Sequence, residues 1–404
     1  MTMAPLSVAE ARCKVLQEVA PTPAELIAVE AAHGRVLADG LVARLTQPPF
    51  DASAMDGYAV RSADLRSLPT TLELIGEAAA GHPFGGTLGP GQAVRIFTGA
   101  PVPAGSDAIV IQEDAERDGG KVRVRNGDLD RTHIRPRGLD FSAGAPLLAG
   151  GRRLGPRDVS LAAAMGYGQL SVRRRPRLAL VSTGDELVAP GQTPGRAQIV
   201  SSNHLGVAAM AEAAGADVAF LGIARDLPES LAAHFEKAGD ADVLVTIGGA
   251  SVGDHDLVAP VLTAQGMALS FWKIAMRPGK PLMFGRLRQT RILGLPGNPV
   301  SALVCARLFL VPLLRALLGL SPDGDAAQIK ARSAVALEAN GAREHYMRAT
   351  ARHGNDGLAL VTPVRSQDSS LLSPLAEADC LLVRPVGAPA VPAGGLVPIL
   401  PLDF

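Results

Sequence analysis

The feature that most limits what this chain can fold into lies between Leu178 and Leu318. Short apolar runs there (LALVS, DVAFLG, DVLVTIGG, RILGLPG) alternate with helical patterns (NHLGVAAMAEAAG, PESLAAHFEKAG, DLVAPVLTAQG and a long apolar helix over 300–318). Strands joined by helices run parallel, because each helix carries the chain back to the end of the sheet where it started. A parallel sheet is covered by helices on both faces, so its strands read as near-continuous apolar runs. Such sheets bind ligands at the carboxyl ends of their strands. The expected site therefore lies in the loops after Ser182, Gly222, Ile247 and Leu295.

With 404 residues and 47% hydrophobic content, the chain exceeds one ordinary domain and can bury several cores. Ser7 followed by Glu10 forms a capping-box pattern for a helix through about Val19, and Gly34 reads as the stop of a short helix over Glu30 to His33. From about 51 to 144 the texture is short β runs (TLELIG, QAVRIFTG, AIVIQ, KVRVR), with RDGG as a hairpin turn. Residues 145 to 172 turn helical over DVSLAAAMGYG, and the run RRRPR at 173 to 177 reads as a solvated linker rather than an anion site. From about 323 the pattern is again β (RSAVALE, EHYMRATAR, LALVTP, CLLVRP), ending in a Pro/Gly-rich tail and suiting a small barrel or sandwich. The expected fold class is α/β plus β: a parallel-sheet α/β domain over 176–322, an inserted small β domain over 51–144, a mixed linking domain from 1–50 and 145–175, and a C-terminal β-barrel-like domain over 323–404.

Lys plus Arg (39) equal Asp plus Glu (39), so no overall basic field collects nucleic acid or an anionic membrane surface. Cys13, Cys305 and Cys380 lie far apart, without metal-ligand spacing, and read as reduced thiols of a cytoplasmic protein. The N-terminal MTMAPLSVAEARCKV lacks the charged start and apolar run of a secretory signal, so export is not expected. The segment 300–320 has the length of a membrane span but carries Arg307, Arg315 and Pro312. Its apolar residues recur at helical spacing, which predicts a helix buried on one face of a domain, with no membrane partner.

At the expected strand ends stand STGDEL (182–187), ARD (224–226), GGASVGDHD (248–256) and LPGNPVSA (295–302). Glycines let backbone approach a phosphate, and a following helix N-terminus offers amides and a positive dipole end. The carboxylates Asp185, Glu186, Asp226, Asp254 and Asp256 would repel an anion unless a divalent cation lies between them. Each loop alone is as well explained by a tight turn or an N-cap. Four converging on one sheet edge point to a phosphate ester bound with Mg²⁺. RPGKP (277–281), with Lys273 upstream, sets Arg277 and Lys280 on a stiff loop suited to an oxyanion, against the plainer reading of solvated charge. In the β region, PFDASAMDGYAVR, FTGAPVPAGSDAIV and RPRGLDFSAG gather acid, hydroxyl and guanidinium three times: Asp51, Ser53, Asp56, Tyr58, Thr98, Arg135, Arg137 and Asp140. Turn chemistry explains much of that content, but not its repetition.

Taken together, SAMDGYAV (53–60), IFTGAPVPAGSDAIV (96–110), STGDEL, GGASVGDHD, RPGKP and LPGNPVSA resemble the molybdopterin molybdenumtransferase (molybdenum insertase) family, which includes the C-terminal part of gephyrin. Related molybdopterin-binding domains share STGDEL, the glycine loop and PGNP, whereas SAMDGYAV and the β insertion are particular to the insertases. The resemblance implies an elongated four-part subunit acting as a homodimer, with the β domain of one subunit facing the α/β domain of the other. It implies a reaction of adenylyl-molybdopterin and molybdate, with Mg²⁺, to molybdenum-molybdopterin and AMP. It also implies a separate molybdopterin adenylyltransferase as the source of the adenylylated substrate, since no such domain precedes the insertase part.

Matched by motif, the implied site consists of Asp56, Thr98, Arg135 and Asp140 from the β domain. From the α/β domain it takes Glu186, Asp226, Asp256, Gly249, Ser251, Lys273, Arg277, Lys280, Pro296 and Pro299. Asp56, Glu186, Asp226 and Asp256 are the expected catalytic acids; Glu186, Asp226 and Asp256 are also expected to hold Mg²⁺ or position water. Lys273, Arg277 and Lys280 are expected to bind the oxyanion. Arg277 stands where many members have Lys, and Leu139 where a Glu often precedes the matched Asp140. The alternatives are a non-catalytic molybdopterin-binding or scaffold paralogue, opposed by the intact acids, and an adenylyltransferase-like enzyme, opposed by the β insertion.

Overall fold

A computed structural model describes residues 5–127, 133–249, 257–324, 329–354 and 356–402. The chain divides into two compact units. One comprises residues 1–25, 34–36 and 172–404, and the other 26–33 and 37–171.

In the larger unit, six strands form one sheet: β1 (Arg177–Thr183), β2 (Asp217–Ala224), β3 (Val243–Ile247), β4 (Ala268–Phe271), β5 (Met283–Leu287) and β6 (Thr290–Leu295). Their order is β2-β1-β3-β6-β5-β4. β2, β1, β3 and β6 are parallel, as the alternating pattern requires. β5 returns antiparallel from a hairpin with β6 and pairs with β4. These two strands, at one side of the sheet, lie outside the alternating pattern, because ALSF and LMFGRL are too short and too close together to register as strand–helix units.

Helices α1 (Val8–Leu16), α3 (Asn203–Ala214) and α6 (Pro299–Leu317) cover one face. α4 (Pro228–Glu236) and α5 (Val258–Ala264) cover the other. β1 shows the division residue by residue. Leu178 and Leu180 belong to the first core and Ala179 and Val181 to the second, as the period-two pleat dictates. The capping box of α1 forms as expected, with Ser7 Oγ accepting from Glu10 N (3.2 Å) and Glu10 Oε2 accepting from Ser7 N (2.8 Å), and the helix ends at Leu16.

α6 has a mean hydropathy of 1.9 over a membrane-length window, but 72% of that window is buried inside the chain. The expectation of burial on one face is corrected: Val300, Cys305, Phe309, Leu310, Leu313 and Leu314 are all buried, because the helix shares its core with α1 and with Tyr346, Leu375 and Leu381 of the C-terminal region. A π-turn over Ala306–Leu310 precedes Pro312. That proline cannot donate to the carbonyl four residues back and its ring crowds it, which a wider turn accommodates.

RRRPR is likewise not a solvated linker. Arg174 pairs bidentately with Asp242 (2.9 and 3.0 Å), and Asp242 also accepts from Arg177 N (2.7 Å). The carboxylate raises the Arg174 pKa and ties the start of β1 to the start of β3.

Five strands close a small barrel: Ile329–Ser333, Glu344–His353, Ala359–Pro363, Cys380–Arg384 and Leu396–Pro401. The last lies in the Pro/Gly-rich tail, yet Pro398 and Pro401 sit in register with Lys330 and Cys380. Met276–Arg277 pairs in parallel with Glu344–His345 outside the ring. Arg348 in the barrel is 1% exposed, and its guanidinium donates to the carbonyls of Leu371 (2.8 Å), Ser366 (3.0 Å) and Asp368 (2.9 Å).

In the smaller unit, six strands run in the order Ala108–Ile111, Gly57–Val60, Gln92–Ile96, Thr70–Ala78, Lys121–Val124, Ala115–Asp118. RDGG turns the last pair, with Gly119 at φ 55°. Helix α2 (Pro156–Ala164) lies in the DVSLAAAMGYG segment, and the expected 30–33 helix is a 3₁₀ turn over Val29–Ala31.

The burial has two measurable consequences. Arg348→Ala strands three carbonyls, at about 1–3 kcal/mol each, and should lower the melting temperature with a stability loss of at least about 3 kcal/mol. Burial raises the thiol pKa of Cys305 and pushes Cys380 up to about 11, while Cys13 is exposed. A disulfide-exchange reagent should therefore titrate one thiol per chain in native protein and three in denaturant.

Candidate functional site

In the smaller unit, SAMDGYAV enters the sheet at Gly57, which lies between two strands and pairs with Ile96 on one side and Ile111 on the other. A Cβ at Gly57 would lie 1.9 Å from Val110 O, so only glycine lets the middle strand sit so close. This fixes Asp56 at the sheet edge beside the end of the Gln92–Ile96 strand. Its Oδ1 accepts from Thr98 N and from Thr98 Oγ1, both at 2.8 Å. These bonds, the backbone N–H first, hold the Asp56 pKa below the ordinary carboxylate range, so the group is charged at neutral pH. Arg95 stacks over Tyr58 and Phe97, with its guanidinium 5.1 and 4.8 Å from the ring centroids.

Buried Ser53 holds the same turn through its backbone: Ser53 N donates to Ala100 O and Gly99 N to Ser53 O, both at 2.9 Å. Arg135 pairs with Ala52. A cavity of about 580 Å³ opens beside this turn, and Arg135, Asp140, Gly99, Phe50 and Leu139 are among its lining residues. The structure thus brings Arg135 and Asp140 together, next to the Thr98–Asp56 pair. It separates Asp51 and Arg137 from them in role: Asp51 Oδ1 accepts from Arg137 N (2.7 Å) and Arg137 Nε donates to Pro49 O (3.1 Å), which is turn chemistry.

In the larger unit, the order β2-β1-β3 places a switch point between β1 and β3: the chain leaves β1 toward β2 on one side and leaves β3 toward β4 on the other. Gly248 and Gly249 have φ of 95° and 59°. A Cβ on Gly248 would lie 2.5 Å from Thr183 O, and one on Gly249 would lie 2.5 Å from Val258 Cγ2. The pair therefore both turns the chain and lets it pass over the end of β1. Thr183 Oγ1 is buried beneath it and makes no hydrogen bond among the described residues. Ser251, Asp254 and Asp256 lie outside the described residues.

STGDEL and ARD meet where β1 and β2 end. Gly184 N donates to Ala224 O (3.1 Å), and Asp226 N to Asp185 Oδ1 (3.3 Å). Asp185 thus serves the neighbouring loop. Glu186 folds back over Gly184, its Oε2 2.5 Å from where a Cβ on Gly184 would stand. Glu186 and Asp226 are the described carboxylates of the expected Mg²⁺ set. Hard oxygen donors on adjacent strand ends suit Mg²⁺ in kind, although no group of three metal-binding side chains exists among the described residues.

Two asparagines outside the expected site join these loops. Asn203, which opens α3, donates from Nδ2 to Gly297 O (2.6 Å), and Asn298 donates to Ser369 Oγ (2.9 Å). A Cβ on Gly297 would lie 3.6 Å from Gly248 Cα, so the glycine loop and PGNP touch. The expectation of free amides at the start of α6 is corrected in part: Pro299 has none, and Val300 N already donates to Ser369 O (3.1 Å). Pro296 is buried and Pro299 occupies the first turn of the helix, so both shape the loop. The only signal for Asn203 in the sequence is a polar SSN between a strand end and a helix, which reads as an ordinary N-cap. Behind it, buried Ser201 Oγ lies 3.3 Å from Ser182 Oγ and 3.1 Å from His204 Nδ1, and burial lowers the His204 pKa.

RPGKP and Lys273 form a closed loop. Ile274 N donates to Lys280 O (3.0 Å), Leu6 N to Lys273 O (3.2 Å) and Ala275 N to Leu6 O (2.7 Å). Arg277 and Lys280 are exposed and Lys273 half-buried. Arg277 stands in register with His345, whose pKa falls to about 4 through burial and then through Arg277, Arg343, Arg348 and Arg384. His345 is neutral at physiological pH, and the positive charge at this edge belongs to the guanidiniums.

Comparison with known proteins agrees with this geometry. A family model described as the MoeA N-terminal region (domain I and II) matches residues 6–166, a probable molybdopterin binding domain matches 179–316, and the MoeA C-terminal region (domain IV) matches 330–402. The chain is 37% identical over 389 residues to a molybdopterin molybdenumtransferase of Nostoc sp., covering 94% of this chain and 89% of that protein. It is 35% identical to one of Haemophilus influenzae, covering 98% and 99%. The crystal structure of the molybdopterin biosynthesis moea protein from Pyrococcus horikosii superposes with a TM-score of 0.84 at 30% identity, covering 99% of this chain and 100% of that one. The chain belongs to the molybdopterin molybdenumtransferase family, transferases of molybdenum cofactor biosynthesis.

Proposed function

We propose that this enzyme is a molybdenum insertase acting on adenylyl-molybdopterin and molybdate, with Mg²⁺, and releasing molybdenum-molybdopterin and AMP in the cytoplasm. The observation that carries the reading is the presence, on one α/β unit, of the acids Glu186 and Asp226 at adjacent strand ends and of a fixed loop bearing Lys273, Arg277 and Lys280. A phosphoanhydride and a tetrahedral dianion need cations, and catalysing cleavage needs acids and a divalent ion nearby.

Each group of residues then has its own task. Gly249 and Ser251 approach the terminal phosphate of the pterin, and Pro296 and Pro299 shape the adjoining wall. Lys273, Arg277 and Lys280 bind molybdate, the guanidinium as a planar fork and the ammonium groups as point charges. Glu186, Asp226 and Asp256 hold Mg²⁺ or orient water; when bound, the ion neutralises charge on the phosphoanhydride. Asp56, kept ionised by Thr98, acts with Arg135 and Asp140 from the β domain of a second subunit. The four-part division at 1–50 with 145–175, 51–144, 176–322 and 323–404, the homodimer, and a separate molybdopterin adenylyltransferase supplying the substrate all belong to this proposal. Against a scaffold paralogue stand the intact acids Asp56, Glu186, Asp226 and Asp256.

Purified protein given adenylyl-molybdopterin, Mg²⁺ and molybdate should release AMP in a molybdate-dependent manner and yield active cofactor. Well-folded protein that releases none overturns the enzyme assignment of these substrates. The shared site is tested by mixing two variants, Asp56→Asn and Glu186→Gln, each expected to lose at least about 100-fold in kcat/KM. Random heterodimers of the two keep one intact composite site and recover about a quarter of wild-type activity if the site spans two subunits. Recovery of none assigns both halves to one chain.

A further inference from the structure

The Lys273–Lys280 loop rests on two sulphur atoms. Its ends are fixed by the Ile274–Lys280 hydrogen bond and by the pairing of Met276–Arg277 with Glu344–His345. Its tip is Pro278–Gly279. Gly279 has φ of 103°, and a Cβ there would lie 2.4 Å from Cys305 Sγ, 3.2 Å from Met276 Cε and 3.4 Å from Met276 Sδ. Cys305 Sγ is also 3.8 Å from Gly279 O. Gly279, Met276 and Cys305 are all buried; the end of the Met276 side chain can give, whereas the short Cys305 side chain, fixed on the helix, cannot.

Cys305 ends the first α-helical part of α6, directly before the π-turn of Ala306–Leu310. One extra residue in a helix rotates its N-terminal part by about 100° relative to its C-terminal part. The π-turn therefore sets the phase in which Cys305 meets the loop, while Leu313, Leu314 and Leu317 keep their places in the core. The same helix begins at Pro299, beside the glycine loop, so one rigid element underlies both anion-facing loops.

We propose that Cys305 is a positioning residue for oxyanion binding: its side chain sets the height of the Gly279 tip and, through it, the spacing of Lys273, Arg277 and Lys280. The inference rests on the reading of that loop as the molybdate-binding element. A side chain with one heavy atom beyond Cβ fills the space under Gly279; a larger one lifts the tip, and closely packed interiors pass such shifts on rather than absorb them. Cations displaced by a fraction of an ångström lose affinity for a small tetrahedral anion while the acids at the β1 and β2 ends stay in place.

The test measures molybdate-dependent AMP release by full-length protein and separates KM for molybdate from kcat. Cys305→Leu should raise that KM at least tenfold with kcat within threefold, and Cys305→Ser should stay within threefold of wild type in both. Gly279→Ala approaches the contact from the other side, with the added strain of a side chain at φ 103°, and should raise the KM at least as much; only its comparison with the double variant below isolates the contact. In the double variant Cys305→Ala with Gly279→Ala, the added methyl occupies the space of the lost sulphur, so its KM should fall below that of Gly279→Ala alone. Cys380→Leu is the control: Cys380 is another buried thiol on a carbonyl (Sγ 3.7 Å from Ala349 O), set in the barrel core, and its substitution should lower the melting temperature without moving the KM. If Cys305→Leu fails to fold, the Gly279→Ala pair carries the test. A wild-type KM in Cys305→Leu, a double variant whose KM is no lower than that of Gly279→Ala alone, or an equal rise in Cys380→Leu overturns the inference. Wild-type protein without molybdate-dependent AMP release overturns the functional reading instead, so the two failures are distinct.

Discussion

The larger unit depends on β1 being buried on both faces. Leu178 and Leu180 pack toward α3 and α6 and Ala179 and Val181 toward α4 and α5, so the strand has no solvent face and its register is pinned from two sides. The same register brings Thr183 opposite Ala224 and Ser182 opposite Ile247, setting the ends of β2 and β3 at fixed heights beside it. The geometry of the loops derives from that alignment. Asp185 reaches the backbone of Asp226 because β1 and β2 end together, and Gly248 must be glycine because it crosses the last carbonyl of β1. Arg174, Asp242 and Arg177 fasten the opposite end of the same strands, so the register is held at both termini.

Much of this is legible in the sequence because it is periodic. The parallel strands, the capping box at Ser7, the RDGG hairpin and the C-terminal β region rest on local pattern, and local pattern carries the information needed to place them. The illegible parts depend on partners distant in sequence. Leu396–Pro401 carries prolines that argue against a strand, and only the closing barrel gives it neighbours on both sides. RRRPR looks solvated until Asp242, sixty-eight residues from Arg174, is brought beside it. Burial of α6 on one face only is the wrong inference because helical periodicity reports which residues are apolar and not how many layers will cover them. Motif spacing offers the acids and cations as candidates but passes over Asn203 and Asn298, whose hydrogen bonds across loops have no local signature.

Glycine at the site illustrates two different physical demands. At Gly57 the need is closeness, since a Cβ would enter the carbonyl of Val110 in the neighbouring strand. At Gly248 and Gly279 a left-handed backbone is added to the close approach. Gly57 and Gly279 sit in motifs that also carry charged residues, Asp56 beside Gly57 and Arg277 and Lys280 around Gly279. The glycines set where the backbone runs, and the charged neighbours inherit their positions from it.

That inheritance bears on whether the cations of the loop are more than solvated surface charge. Among the described residues, Arg12, Arg35, Arg174, Arg286 and Arg332 are each paired with a carboxylate, whereas Lys273, Arg277 and Lys280 are not. An exposed cation without a partner costs little, so lack of pairing alone would favour the plainer reading. The backbone beneath them argues otherwise. A solvated loop does not need its ends bonded at Ile274 and Lys280, its flank paired to a barrel strand and its tip set against buried sulphur. Ordering such a loop costs conformational entropy, which the burial of Ile274, Met276 and Leu282 in the core offsets. The three cations are therefore carried on backbone that is ordered on folding, which is the condition under which a small anion is gripped without a further ordering cost at each binding event.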